Sequence, residues 1–293
     1  VSQLLVQRGV TSVEEADRFF NPRLKNLHDP YLMPDMDKAV ERLNRAMGAK
    51  EKIMVYGDYD VDGTTAVALV YKYLSNFYSN IDYFIPTRYE EGYGISSEII
   101  DDFAGQGVKL VIILDCGIKA NEEIAHAREH GIDFIICDHH VPDEELPQAV
   151  AILNPKMPGS TYPCPHLSGC GVGFKFMQAF AQSNGIAQGE LEGMLDLVAV
   201  SIAADIVPMV DENRIMAYYG LRRLNTNPNM GLRAIIRICN LTNREITISD
   251  VIFKIGPRIN ASGRMQSGKA AVDLLVSRDI ADAYERAKDI DQY

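Results

Sequence analysis

The stretch KIMVYGDYDVDGTTAVALVYKYL, residues 52–74, changes rhythm at Asp58. KIMVYG (52–57) is an apolar run of strand length, and from Thr64 onward the apolar residues fall at helical spacing. A strand that feeds a helix through a short acidic turn is the opening half of a βαβ unit. The same rhythm recurs downstream. IDYFIP (81–86), KLVIILD (109–115), DFIICD (133–138) and AVAILN (149–154) read as strands, with SSEIIDDFAG and NEEIAHAREHG between them as helices. This alternation predicts an α/β fold: a doubly wound, mainly parallel five-stranded sheet with right-handed crossovers. The near-continuous apolar character of the strands says that both sheet faces are buried.

Additional helices are expected at both ends. Residues 1–50 read as a helical segment that packs on the core, with a capping signal in TSVEEADRFF and helical spacing in DKAVERLNRAMGAK. The core itself spans 51–276, α/β to about 155 and mostly helical afterwards. Residues 277–293 read as the start of a further helix. The chain opens without Met and stops inside a helical pattern, so trimming at both ends is expected.

The chain has 293 residues and a formal net charge of −11. That balance argues against a protein that coats DNA through a broad basic face. It is compatible with a metal enzyme, whose acidic ligands carry much of the charge and whose bound ions reverse it locally. No apolar run reaches membrane-spanning length, and no signal peptide is visible. Five cysteines without a CxxC pair suit a reducing cytoplasm. Cys164, His166 and Cys170 in CPHLSGC lie close together, but no fourth zinc ligand at sensible spacing accompanies them, so a plain loop is expected there.

In a doubly wound sheet, ligands bind beyond the carboxyl ends of the strands. Here the first strand runs into Asp58, Asp60 and Asp62, the third ends in Asp115, and the fourth ends in Asp138, His139 and His140. Three strands thus deliver carboxylates and imidazoles to one edge. In extended backbone, residues two apart share a side, so Asp58, Asp60 and Asp62 are expected to point together, with Gly63 and Thr64 turning the chain tightly into a helix. DxDxDG also opens an EF-hand loop, but the twelfth position is Leu69 where that loop needs Glu. Asp oxygens with a His nitrogen and no thiolate suit Mn²⁺ or Mg²⁺. So many carboxylates can hold two ions bridged by one Asp, the usual arrangement for phosphoryl hydrolysis.

The triplet Asp138-His139-His140, with VYGDYDVDGTTA, LDCGI and AADIVPM, resembles the DHH phosphodiesterases. Together with RGVTSVEEADRFFNPRLKNLHDPYLMPDMDKAVERL, IPTRYEEGYG and GPRINASGRM, it resembles their RecJ branch, single-strand DNA exonucleases. The resemblance covers essentially the whole chain. It implies that Asp60 and Asp62 each hold a metal with Asp58 in support, that Asp115 bridges two ions, and that His139 and Asp205 complete the ligand set of the second ion. It further implies that His140 contacts the scissile phosphate and that Arg88 and Arg258 grip a 5′-terminal phosphate, helped by Asn260 and Arg264. Ser168 and Gly169, in the glycine-rich SGCGVGFK, are candidates for backbone contacts to phosphate. The implied substrate is single-stranded DNA with a 5′-phosphate, cut from that end to mononucleotides in repair and recombination. A helicase and a single-strand binding protein are the implied partners of the full-length chain. The family continues into a second domain and an OB-like domain that are not seen here, so 277–293 would begin the linker helix and this chain alone would bind DNA weakly.

Other DHH enzymes act on short oligonucleotides, cyclic dinucleotides or pyrophosphate. The pyrophosphatases place a His where this chain has Asp58, and the short-substrate enzymes lack the N-terminal block and the GPRINASGRM form. A non-catalytic DHH scaffold would be expected to lose ligands, and every expected ligand is present.

Overall fold

The computed structural model describes residues 1–86, 94–265 and 268–291, without the side chains of 262–265 and 291. Five strands form one parallel sheet: β1 (Lys52–Gly57), β2 (Ile81–Phe84), β3 (Val108–Leu114), β4 (Asp133–Cys137) and β5 (Ala151–Leu153). Their spatial order is β2-β1-β3-β4-β5, as expected of a doubly wound α/β sheet. Helices α1 (Ser2–Gln7), α2 (Val13–Phe20) and α3 (Met36–Gly48) precede the sheet. Helices α4 (Val61–Leu74), α5 (Ser97–Gly105) and α6 (Asn121–Glu129) connect its strands. After the sheet come α7 (Gly169–Ser183), α8 (Gly189–Glu192), α9 (Leu195–Ala204), α10 (Asp211–Thr226) and α11 (Met230–Ile238). Next follow α12 (Ile248–Asp250), a π-helical turn (Val251–Ile255), α13 (Gly256–Met265), α14 (Gly268–Val276) and α15 (Ile280–Asp291).

The strands alternate between two cores, as a period of two requires. Val55, Ile112, Ile135 and Leu153 face the larger one, shared with α3, α4, α7 and α9. Tyr56, Ile113, Ile136 and Ile152 face the smaller one, covered by α5 and α6. Each fully buried aliphatic side chain of this kind contributes roughly 1.5–3 kcal/mol. Burial on both faces explains why the strands read as unbroken apolar runs.

The N-terminal segment is clasped to the helical layer by a buried ion pair. Lys175 on α7 donates to Glu212 on α10 at 2.9 Å and to the His28 carbonyl at 2.6 Å. Glu212 also accepts from the His28 N–H at 2.9 Å and from the Tyr162 hydroxyl at 2.5 Å. Two buried charges are tolerated because their remaining hydrogen-bonding positions are filled. At the other end, α15 packs on α11 and α14 and buries Ala283, Ala287 and Ile290.

Helix α9, which ends at Asp205, is crossed closely by α10. A Cβ built on Gly220 would lie 2.1 Å from the Leu195 carbonyl oxygen and 2.5 Å from the Ala199 Cβ. Gly220→Ala is expected to lower stability by about 1–3 kcal/mol, read from the urea midpoint. An unchanged midpoint would show that the crossing can widen freely.

Candidate metal centre

The last rung of the sheet pairs Gly57 with Leu114, Leu114 with Cys137 and Cys137 with Leu153. The next residues, Asp58, Asp115, Asp138 and Asn154, therefore stand in a row along the carboxyl edge, and all four are buried. Backbone bonds extend the row: the Asp115 N–H donates to the Cys137 carbonyl at 2.9 Å and the Asp138 N–H to that of Leu153 at 3.0 Å. Strand order reverses between β1 and β3, the switch point at which such sheets bind ligands. Asp58 and Asp115 flank it.

The two-residue spacing of Asp58, Asp60 and Asp62 does not place them on one side of an extended segment. Helix α4 already begins at Val61. Asp60 is its N-cap and accepts from the Gly63 N–H at 2.9 Å, a partner that outweighs continued extension. Gly63 lies inside the helix, where a Cβ would sit 2.4 Å from the Asp58 carbonyl oxygen; it serves close approach, not a turn. Asp62 points instead to α7 and α9. Its Oδ2 accepts from the Gly169 N–H at 2.7 Å, and its Oδ1 accepts from the Cys170 N–H at 2.7 Å and the Ser201 hydroxyl at 2.7 Å.

Those bonds already occupy the Gly169 N–H, one of the backbone groups considered for phosphate. SGCGVGFK is the start of α7, with Ser168 as its N-cap, rather than a phosphate-cradling loop. Its leading N–H groups hold the protein's own carboxylate, as a helix N-terminus favours. Ser168 Oγ accepts from the Gly171 N–H at 3.1 Å and lies 2.6 Å from Ser201 Oγ, and the residue is buried.

Three overlapping groups, each with its ligand atoms within 4.8 Å of one another, result: Asp58, Asp60 and Asp115; Asp62, His139 and Asp205; and Asp115, His139 and His140. His139 Nε2 lies 3.1 Å from Asp115, 3.6 Å from Asp62 and 3.7 Å from Asp205. Asp205 is the C-cap of α9. Asp115 and His139 each belong to two of these groups. Arg258 and Asn260 lie on α13, half-buried. Asn260 lines a cavity of about 340 Å³ with Val61 and Ala204, the neighbours of Asp60, Asp62 and Asp205. Arg88 and the Arg264 side chain lie outside the described residues. Cys164 and Cys170 are buried free thiols while His166 is exposed, and no metal-ligating group among the described residues includes them.

Burial, then the neighbouring Asp60 charge, pushes Asp58 up to about 6 and Asp62 up to about 7. Burial and Asp62 raise Asp115 well above the usual carboxylate range. His139 is driven down to about 4 by burial and then by His140. Asp138 behaves oppositely to its neighbours. Burial alone would raise it, but hydrogen bonds and charge from His140, with the backbone N–H groups of His140 and Ile118, hold it below its ordinary value. His140 is raised in turn, first by its 2.7 Å bond to Asp138. Asp115 Oδ1 and both His139 ring nitrogens are buried without a hydrogen-bond partner. Orphaned donor atoms facing crowded carboxylates are what a divalent cation would satisfy.

Two contributors were not singled out from sequence. Asn154 donates to the His140 carbonyl at 2.9 Å. It ends the fifth strand as the aspartates end theirs, so the same edge rule could have found it. Ser201 sits mid-helix, and no sequence signal marks it.

Residues 52–202 match the model of the DHH family, N-terminal domain. The chain is 40% identical over 293 residues to the single-stranded-DNA-specific exonuclease RecJ of Bacillus subtilis (strain 168), covering 100% of this chain and 36% of that protein. It is 36% identical over 300 residues to RecJ of Escherichia coli (strain K12), covering 99% of this chain and 51% of that one. It thus spans only about a third to a half of the length of these curated relatives. Among solved structures it resembles exonuclease RecJ bound to manganese, with TM-score 0.82 and 29% identity over 92% of this chain and 67% of that one. It also resembles RecJ in complex with Mn²⁺ from Thermus thermophilus, with TM-score 0.83 and 26% identity over 98% of this chain and 40% of that one.

Raised carboxylates make the metal-free protein sensitive to pH. Their stabilising contribution is complete below the unfolded value of 3.8 and is lost as the pH rises through about 6 for Asp58 and about 7 for Asp62. His139, depressed to about 4, acts in the opposite sense only up to its ordinary 6.5. In chelator, the melting temperature is therefore expected to fall as the pH rises from about 4 through about 7, the carboxylates together outweighing the opposite effect of His139. Asp115→Asn should blunt that fall, and an identical slope in the variant would contradict the electrostatic origin.

Proposed function

The chain belongs to the DHH family, and from that premise we propose that it is the core of a two-metal phosphodiesterase. Its reaction would be hydrolysis of single-stranded DNA from the 5′ end to 5′-mononucleotides, in repair and recombination. The observation that carries this reading is the row of buried acidic residues at the sheet's carboxyl edge, joined by Asp62, His139 and Asp205.

Asp58, Asp60 and Asp115 would hold one divalent ion, and Asp62, Asp115, His139 and Asp205 the other. This oxygen-rich set with one imidazole suits Mn²⁺ or Mg²⁺. Two such ions supply an activated water and stabilisation of the leaving oxygen.

The remaining work belongs to the chain. Asp138 ties His140 Nδ1 at 2.7 Å, and Asn154 holds the His140 carbonyl at 2.9 Å, so the ring is fixed beside the metal ligands. Biased toward its cationic form, His140 would donate to a phosphate oxygen as charge develops there. Asp62 is oriented by α7 and Ser201, which position its carboxylate without helping chemically. Arg258, with Asn260 and Arg88, would take the terminal phosphate, a guanidinium being suited to that dianion. That grip would make the enzyme count from the end.

For the full-length chain we extend the reading to a cytoplasmic enzyme that works beside a helicase and a single-strand binding protein. The five free cysteines fit a reducing compartment. No described helix is long and apolar enough to cross a membrane.

With Mn²⁺ and a 3′-labelled, 5′-phosphorylated single strand, a ladder shortening from the 5′ end and abolished by chelator is expected. Asp62→Ala and His139→Ala should remove detectable cleavage while the far-UV spectrum stays native; normal Mn²⁺-dependent activity in either would refute the ligand assignment. His140→Ala should lower kcat by about 10²–10³-fold, as loss of one donor to developing charge does. Arg258→Ala should instead narrow the preference for 5′-phosphate over 5′-hydroxyl strands. An unchanged preference in that variant would remove Arg258 from the phosphate grip.

A further inference from the structure

Away from the carboxyl edge, α5 and α6 bring together a second set of metal-ligating atoms. His126 and His130 are four residues apart on and just past α6, and so share one helix face. Asp101, on α5, lies across from both. Its Oδ1 is 2.7 Å from His126 Nε2 and 3.3 Å from His130 Nε2, and the two imidazole rings are 4.8 Å apart. Ligand atoms of all three fall within 4.8 Å of one another. Helix α6 leaves the carboxyl edge at its N-terminus, so these histidines stand at its far end, and none of the three residues belongs to the catalytic groups.

We propose that Asp101, His126 and His130 form a separate site for a transition-metal dication of the zinc class. Two imidazoles and one carboxylate are the donors zinc prefers, and magnesium, which favours oxygen, would not compete well. Metal–ligand bonds of about 2.0–2.1 Å in a tetrahedron set neighbouring ligand atoms about 3.3 Å apart. The His130–Asp101 separation already has that value, and the His126–Asp101 pair needs to open by about half an ångström, within rotamer adjustment. The imidazoles are 30% and 38% exposed, which leaves a path for the ion and room for a water as fourth ligand. The ion would cross-link the two helices that cover the smaller core through Ile99, Ile100, Phe103, Ile124 and Ala127.

The test compares the protein with its His126→Asn/His130→Asn double variant by equilibrium dialysis against Zn²⁺. The catalytic groups can also take zinc, so the difference is what counts. One more zinc equivalent on the unmutated protein, with Mn²⁺-dependent behaviour equal in both, is expected; Asp101→Asn should weaken that one equivalent on the order of tenfold or more. Equal zinc content would mean that the three residues are an ion pair only, and the proposal would fall. Nitrogen-15 imidazole spectra of the unmutated protein give an independent reading. His126 and His130 signals should move on adding Zn²⁺, and stationary signals would overturn the site whatever the fate of the variants. Neither readout needs nuclease activity, so failure of the exonuclease reading would leave this result standing.

Discussion

Burying Asp58, Asp62 and Asp115 against one another costs free energy, because each carboxylate loses water and faces its neighbours' charge. The rest of the structure holds that arrangement in place. Asp58 and Asp115 follow strands that stop on one rung, so these two acids are not free to drift apart, and Asp62 is pinned beside them from α4 by α7 and α9. Packing on both sheet faces fixes the strands, and the helices above close off solvent. The destabilisation is local, and it becomes binding energy for cations of the right spacing and hardness.

Asp62 links the two halves of the molecule. It starts on α4 at the sheet and is held by the first N–H groups of α7 and by Ser201 on α9. Through α9 the same connection presents Asp205 to the site. The helical layer thus contributes Asp205 to the candidate metal centre as well as covering the sheet, and a change in how α9 and α10 cross would be felt at Asp205.

Much of this is legible in the sequence. Strand-length apolar runs give the sheet, and the edge rule brings Asp58, Asp115 and His139 together from their positions in the chain alone. The shape of the DYDVDG turn is not legible in the same way, because spacing by two says nothing about where an N-cap will start a helix. Asp60 decides that by capping Gly63. SGCGVGFK misleads for a related reason: glycines suggest a loop, yet here small residues let α7 approach Asp115, whose Cβ would lie 2.6 Å from a Cβ on Gly169. Asp205 needs family resemblance, since an acid at a helix end has many ordinary uses. Ser201 is invisible because its role depends on a partner 139 residues away.

Asp115 also adopts a left-handed backbone, with φ of 60°. Aspartate tolerates that region better than most side chains, but glycine would occupy it with less strain. The residue is therefore unfavourable twice over, in backbone and in charge, wherever no cation is bound. A laboratory selection that rewarded only thermal endurance or soluble yield would drift away from aspartate at this position and return a sturdier protein without the proposed bridging carboxylate. On the proposed reading, durability and catalysis pull in opposite directions at a single codon, and engineering of this scaffold would have to select for both at once.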